Sequence, residues 1–262
     1  MPEARSSQAA GLMDAGGGRP ARLLAMVCHG DADAELPLMW QLCDALAQRN
    51  YGVTVLDGTK AETPENHGLA QALEHGWLPK PSSAAHHSWQ VAPARWGLQS
   101  LATESFETIV SELQWCRLAV TDSVLLVYAT AETLAPWVAS TGVRPLLAMS
   151  AAKSSLMTSY LALKRLWLHA GVVPAVVQRL DTSVVDLEHA HAISRSLSDC
   201  AGHFLGLSVH VRRISDLGNG QDLAVQALVQ TLLEESVTLE PSWTDGRPGH
   251  GRETHNFATR MN

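Results

Sequence analysis

The chain has 262 residues, of which 46% are hydrophobic and 17% charged, and its formal net charge is −7. That length supports one α/β domain with a substantial core plus loose ends, and the acidic balance lacks the electrostatic footprint of a DNA- or RNA-binding protein. The four cysteines, Cys28, Cys43, Cys116 and Cys200, show no CxxC spacing, so neither a zinc site nor a disulfide framework is predicted.

Residues 1–20, MPEARSSQAAGLMDAGGGRP, read as a flexible arm. Ser6 or Ser7 can cap a short helix-prone patch, and Gly16 to Gly18 form a tether. Arg22 to Cys28 is an apolar run of the kind a buried parallel strand shows. Met39, Leu42, Cys43 and Leu46 then fall at i, i+3, i+4, i+7, which is one face of a helix. Tyr51 to Leu56 is a second strand ending in Asp57, so two strands are joined by a helical crossover, the unit of a doubly wound sheet. Pro37 suits the first turn of that helix.

The loop between first strand and helix is where such folds hold a phosphate. A phosphate cradle needs backbone N–H groups at a helix N-terminus, a Gly-rich loop and a cation. Cys28 to Leu36, CHGDADAEL, offers one glycine and three acids, Asp31, Asp33 and Glu35. Each acid about 4 Å from a phosphate charge opposes it by roughly 4 kcal/mol at an effective dielectric near 20. The expected role is an acidic loop that caps a helix. Those acids with Asp57 are also a carboxylate set that suits a hard cation, a weaker reading than capping; no cofactor and no metal are expected.

Residues 58–87 are loop-like, with a short helix at Gly68 to Gly76. His86 and His87 are read as solvated, because neighbours on a strand point apart. Ser88 to Ala92 is a short strand and Phe106 to Cys116 a helix. Ser123 to Tyr128 is the clearest buried strand in the chain. Val143 to Met149 is a further strand, and Ser154 to Leu166 is an amphipathic helix capped by Ser154. Val172 to Val177 is a strand followed by Gln178, Val184 to Phe204 a helix, Ser208 to Ile214 the last strand and Gln221 to Glu235 the last helix. His189 and His191 lie on different faces of their helix. Most of the eight tryptophans are expected to be core or half-buried. The chain divides into the arm (1–20), one α/β domain (21–240) and a tail (241–262) expected to be disordered.

Several of these stretches resemble the MinD/ParA-type P-loop ATPases. In gap-free register, Gly30 stands at the first lysine of that family's phosphate loop, Glu35 at the second, and Leu36 at the hydroxyl that holds magnesium. Tyr128 stands at the aspartate that ends the family's switch strand, and the ATAE after it has no glycine. SSLMTSYLALKRL (Ser154 to Leu166) is similar to the family's TSLTDAYALIK helix, Gln178 stands near the asparagine that reads adenine, and HFLGL (His203 to Leu207) is similar to its FLG turn. Together these imply a three-layer α/β sandwich with a mostly parallel sheet of about seven strands and a degenerate nucleotide loop made of Cys28, His29, Gly30, Asp31, Asp33, Glu35, Leu36, Asp57, Tyr128 and Gln178.

SQAAGLM (Ser7 to Met13) further resembles the DQAxGLR element of FlhG, the flagellar member of the group, an arm that activates the partner GTPase FlhF. Gln8, Gly11 and Leu12 are its implied partner-binding residues. The resemblance implies a non-catalytic pseudo-ATPase that regulates flagellum number or placement by binding an FlhF-type GTPase. Its alternative is an accessory protein of cellulose synthesis or partitioning. A cytoplasmic protein follows, since no apolar run reaches the ~18 to 20 residues of a membrane span and no signal-peptide core is present. Recruitment to the cell pole or flagellar base is what the resemblance adds. A homodimer is compatible with it. No direct membrane binding is expected, because the last helix carries acids and no cation.

Overall fold

The computed structural model of the chain describes residues 18–78, 89–180, 187–215 and 223–240. The arm residues Gln8, Gly11 and Leu12, the pair His86 and His87, and the tail 241–262 lie outside the described residues. Seven parallel strands, β1 (Arg22–Cys28), β2 (Gly52–Asp57), β3 (Trp89–Pro93), β4 (Ser123–Thr130), β5 (Leu146–Met149), β6 (Ala175–Leu180) and β7 (Val211–Ser215), stand in the order β3-β2-β4-β1-β5-β6-β7. A two-residue strand, β8 (Val237–Thr238), pairs antiparallel with the start of β1. The mostly parallel three-layer architecture is the one the sequence predicts.

Parallel strands buried on both faces carry near-continuous apolar runs, and β1 shows why. Leu23, Ala25 and Val27 enter the core on one face of the sheet, and Leu24 and Met26 enter the core on the other. The second face is covered by α1 (Ala32–Gln48), through Leu38, Leu42 and Leu46, and by α8 (Leu223–Glu235), through Val225, Leu228 and Val229. On the first face lie α2 (Leu69–His75), α3 (Arg95–Leu101), α4 (Phe106–Trp115), α5 (Ala131–Thr141), α6 (Lys153–Ala170) and α7 (Leu187–Leu205). Among the described residues no helix is long and apolar enough to cross a membrane.

Several boundaries differ from the sequence reading. The fifth and sixth strands begin at Leu146 and Ala175, after Pro145 and Pro174, because a proline has no N–H to give to a central ladder. The helix α6 starts at Lys153 with Ala152 at its cap, so Ser154 lies inside the first turn and does not cap it. Pro37 is inside α1, at its sixth position rather than in its first turn. A proline there frees the carbonyl four residues back, and that carbonyl, Asp33 O, is taken at 2.7 Å by Arg179 Nη1 of β6. Two helices, α3 and α5, were not expected; Gly97 sits in the first and Pro136 in the second. The α5 pattern is nonetheless helical: Leu134, Ala135, Trp137, Val138 and Thr141 are its buried positions.

The tryptophan expectation is corrected. Of the seven described, Trp40, Trp77, Trp96 and Trp115 are more than half exposed, Trp89 and Trp167 are half-buried, and Trp137 alone is fully buried, its Nε1 donating to Leu98 O at 2.9 Å. Trp40 and Trp115 fall off the buried positions of α1 and α4, so their helices turn them to solvent. Burial acts oppositely on the thiols: it pushes Cys43 and Cys116 up to about 12. A thiol raised in the folded state stabilises the fold below its unfolded value near 9, and that contribution is lost as pH rises toward 12. At pH 8 a thiol reagent is therefore expected to modify the half-buried Cys200 first and to leave Cys43 and Cys116 unmodified until the chain unfolds; mass mapping of the adducts checks this.

Candidate functional site

The ends of β1 and β4 and the start of α1 form the place where a phosphate would sit. β1 and β4 run in register, Met26 beside Tyr128 and Cys28 beside Thr130, so the last residues of both strands meet the loop His29–Asp31. Gly30 holds φ at +95° with open space where a side chain would be, a backbone that glycine adopts at little cost. Its flanking N–H groups turn inward, as in a phosphate-binding loop.

Their acceptor is the chain's own Glu35. Side chains on a helix tilt toward its N-terminus, and Glu35, in the first turn of α1, folds back over the loop. Its Oε1 accepts from His29 N at 2.9 Å and from Asp31 N at 2.8 Å, and its Oε2 accepts from Tyr128 Oη–H at 2.5 Å. The residue is 1% exposed. A carboxylate thus fills an N–H cradle at a helix N-terminus, where negative charge is favoured. Burial raises the Tyr128 hydroxyl far above the ordinary phenol range, and hydrogen bonds with Cys28 and Glu35 add to the shift. It stays protonated and donates. Burial also raises Cys28, so its thiol is not an activated nucleophile.

His29 ties this loop to its neighbours. Its Nε2 donates to Ala148 O of β5 at 2.6 Å, since a carbonyl can only accept, and its Nδ1 meets the Thr158 hydroxyl of α6 at 2.8 Å. Nε2 also lies 3.5 Å from Glu35 Oε1. Asp31 occupies the N-cap position of α1 but makes no capping bond; its Oδ2 accepts instead from Ser150 N at 2.8 Å, after β5. The capping role expected of the loop acids therefore falls to Glu35. Leu36 lines an open hollow of about 570 Å³ with Pro37, Trp40 and Arg179.

The remaining sequence-derived site residues are not brought into that cluster. Asp57 aligns with Tyr128 in the ladder, yet its Oδ1 closes a local turn on Thr59 N at 3.0 Å and Thr59 Oγ1 at 2.6 Å, with Lys60 Nζ 3.5 Å from Oδ2. Gln178 lies inside β6 and not after a strand; it is fully buried, and Nε2 donates to Ala190 O of α7 at 3.0 Å. Its neighbour Arg179 reaches α1 on the opposite face of the sheet, as strand alternation requires. Gln178 therefore does not face the loop. The carboxylates of Asp31, Glu35 and Asp57 each serve separate partners, and among the described residues no group of three or more His, Cys, Asp or Glu side chains is placed to hold a metal.

A second buried carboxylate was missed by sequence reasoning. Glu62, in the connection after β2, accepts from Trp96 N at 2.8 Å and Gly97 N at 2.9 Å at the start of α3, and from Ala70 N at 3.2 Å in α2. It stands in place of a cap that Ala94 cannot supply. No local pattern announces it, because its partners follow 8 to 35 residues later.

No protein-family model matches the sequence, and neither does any curated protein. Solved structures match in fold. Cobyrinic acid a,c-diamide synthase from Mycobacterium smegmatis, solved with bound ADP and magnesium, is similar at a TM-score of 0.51 and 13% identity, over 84% of this chain and 100% of that one. MinD in its complex with MinC from Aquifex aeolicus gives 0.48 and 12%, over 83% and 98%. A ParA-family ATPase from Chlorobium tepidum TLS gives 0.44 and 14%, over 82% and 91%. Taken with the strand order, the likeness to the Mycobacterium smegmatis synthase shows that the chain shares the mostly parallel α/β fold of that structure.

Proposed function

We propose that this protein is a pseudo-ATPase of the FlhG type, which regulates by presenting surfaces to a partner GTPase and performs no chemistry of its own. The observation that carries the non-catalytic half is the Glu35 carboxylate on the N–H groups of His29 and Asp31. A triphosphate entering the loop has to displace a buried carboxylate from charge-assisted hydrogen bonds and then meet Asp31 and Asp33 without a lysine. Gly30, Glu35, Leu36 and Tyr128 supply neither cation, magnesium-binding hydroxyl nor carboxylate where that chemistry needs them. Titration calorimetry with Mg-ATP is expected to give no binding heat. A micromolar dissociation constant overturns this reading.

The partner half rests on Gln8 to Leu12. Gln8 carries an amide that both donates and accepts, and Leu12, four residues on, shares its face in a helix. The arm leaves the domain at a fixed point. Arg19 Nε bonds Asp122 Oδ1 at 2.7 Å, its Nη1 and Nη2 donate to Arg49 O and Asn50 O at 3.0 Å each, and its guanidinium lies 3.8 Å over the Tyr51 ring. The same guanidinium holds the Asp122 carboxyl below the usual carboxylate range. A synthetic peptide of residues 1–20 is expected to stimulate GTP hydrolysis by the cognate FlhF-type protein, and Gln8→Ala to abolish the stimulation. Neither binding nor stimulation, or equal stimulation by both peptides, removes the arm's role. Met13 stands where the FlhG element has arginine, so a peptide that binds without stimulating assigns docking to the arm and activation elsewhere.

A further inference from the structure

The helix α6 carries an outward face that none of the described residues covers. Met157, Leu161 and Leu168 are 64%, 55% and 62% exposed. At 100° per residue they share one face with Lys153, Lys164 and Arg165, while Ser155, Ser159, Ala162, Leu163 and Leu166 form the opposite, buried face. The stripe from Lys153 to Leu168 runs about 22 Å. Burial of the inner face is enough to hold α6 in place, so stability does not require the outer leucines.

This face is concave. Leu161 and Leu168, though not Met157, line a hollow of about 450 Å³ with Ala131 of α5 and, at its inner end, Cys28, His29 and Thr130; it continues past Arg165 and His169 into a second hollow of about 580 Å³ walled by Ala135 and Pro136. The α5 wall of the groove is made of small and compact side chains, Ala131, Ala135 and Pro136. Its charge runs against that of the whole chain. The protein has a net charge of −7 and only four lysines, yet two of them, Lys153 and Lys164, stand on this one face, and α6 contains no acid. Glu132, the acid on the α5 wall, is bonded to Arg165.

We infer that the α5–α6 groove is a docking site for an acidic amphipathic helix of another protein. Apolar anchors on such a helix at i, i+4, i+7 and i+11 would seat on Met157, Leu161 and Leu168, and its flanking carboxylates would face Lys153, Lys164 and Arg165. Concavity favours a helix over a bilayer, whose flat surface reaches convex faces and not the floor of a groove. The sign of the charge favours an acidic partner over a second copy of this face. This site is separate from the arm, which leaves the domain at the opposite strand ends beside Asp122, and its inner end adjoins the loop at Cys28 and His29.

The test uses the full-length protein and a fluorescein-labelled synthetic helical peptide of about 15 residues, with leucines at those four positions and glutamates flanking them. Its counterpart has lysine at every glutamate. Fluorescence anisotropy is expected to show the acidic peptide binding at least about tenfold more tightly, and Leu161→Asp and Lys164→Glu each weakening it about tenfold, or about 1.4 kcal/mol. Salt at about 1 M, where the screening length is about 3 Å, weakens the complex as well. Both positions are solvent-facing, and circular dichroism confirms that the variants fold. Equal binding of the two peptides, no binding of the acidic one, or binding indifferent to Leu161→Asp overturns the assignment. So does Leu161-dependent self-association in sedimentation velocity, which gives the face to a second copy, or Leu161-dependent co-sedimentation with anionic vesicles, which gives it to lipid.

Discussion

Glu35→Ala is expected to cost about 3 kcal/mol or more of folding stability, and to leave ATP binding undetectable. Removal of the carboxylate strands one buried donor, the Tyr128 hydroxyl, and two part-buried ones, His29 N–H and Asp31 N–H, and a buried donor left without an acceptor costs about 1–3 kcal/mol. Glu35→Gln keeps one oxygen for the two amides but turns an NH2 toward Tyr128, so about 1 kcal/mol is expected from it. Tyr128→Phe removes one charge-assisted bond, worth about 1.5–3 kcal/mol, and its effect should not add to that of Glu35→Ala, because the two residues share that bond. Urea unfolding of the four proteins and of the double variant measures all of this. A loss below about 1 kcal/mol for Glu35→Ala means that the carboxylate does not hold the loop. Micromolar ATP binding by Glu35→Ala means that this one side chain, and not the missing lysines, closes the site.

The second large effect is expected at Glu62. Its carboxylate joins α2 to α3 through three backbone amides, and the two helices are packed so tightly that a Cβ on Gly97 would lie 2.5 Å from Leu69 Cγ. With no space for α3 to shift toward α2, the amides of Trp96 and Gly97 cannot find a nearer acceptor when Glu62 is truncated. Glu62→Ala is expected to destabilise by about 2–3 kcal/mol. Hydrogen exchange should accelerate at Ala70, Trp96 and Gly97 first, while the amides of β1 and β4 keep their protection. Uniform acceleration across the sheet would mean that Glu62 supports the whole domain and not this joint.

Much of the sheet was legible because buried parallel strands advertise themselves as apolar runs, and β1 and β4 were placed to within two residues. The helices with a clean 3.6-residue stripe, α1 and α7 among them, were legible for the same reason. Local chemistry blurred the rest. Pro145 and Pro174 cut two strands short inside runs of apolar residues, and Pro136 hid a helix whose buried positions were otherwise in period. Glu35 and Tyr128 were each readable as residues unsuited to nucleotide chemistry. That they bond one another across 93 positions was not, because only the closure of the parallel ladder between β1 and β4 brings them together. Gln178 was misplaced for a related reason: strand alternation, which decides the face of the sheet, depends on where the strand starts.

The four contacts of Arg19 set a length scale. They fix Arg19 beside the turns before β2 and β4, so the proposed arm would act from that one spot. Gln8 is eleven residues from Arg19 and, at about 3.5 Å per residue, would reach no farther than roughly 39 Å from it. Within that radius a tethered segment is present at an effective concentration in the millimolar range, and beyond it the concentration is zero. On the proposed function, a GTPase whose catalytic centre fell inside the sphere would feel the arm even if the arm's own affinity were feeble; one docked a few ångströms too far would not. The folded domain would then act as a ruler that decides which bound partner the arm can touch.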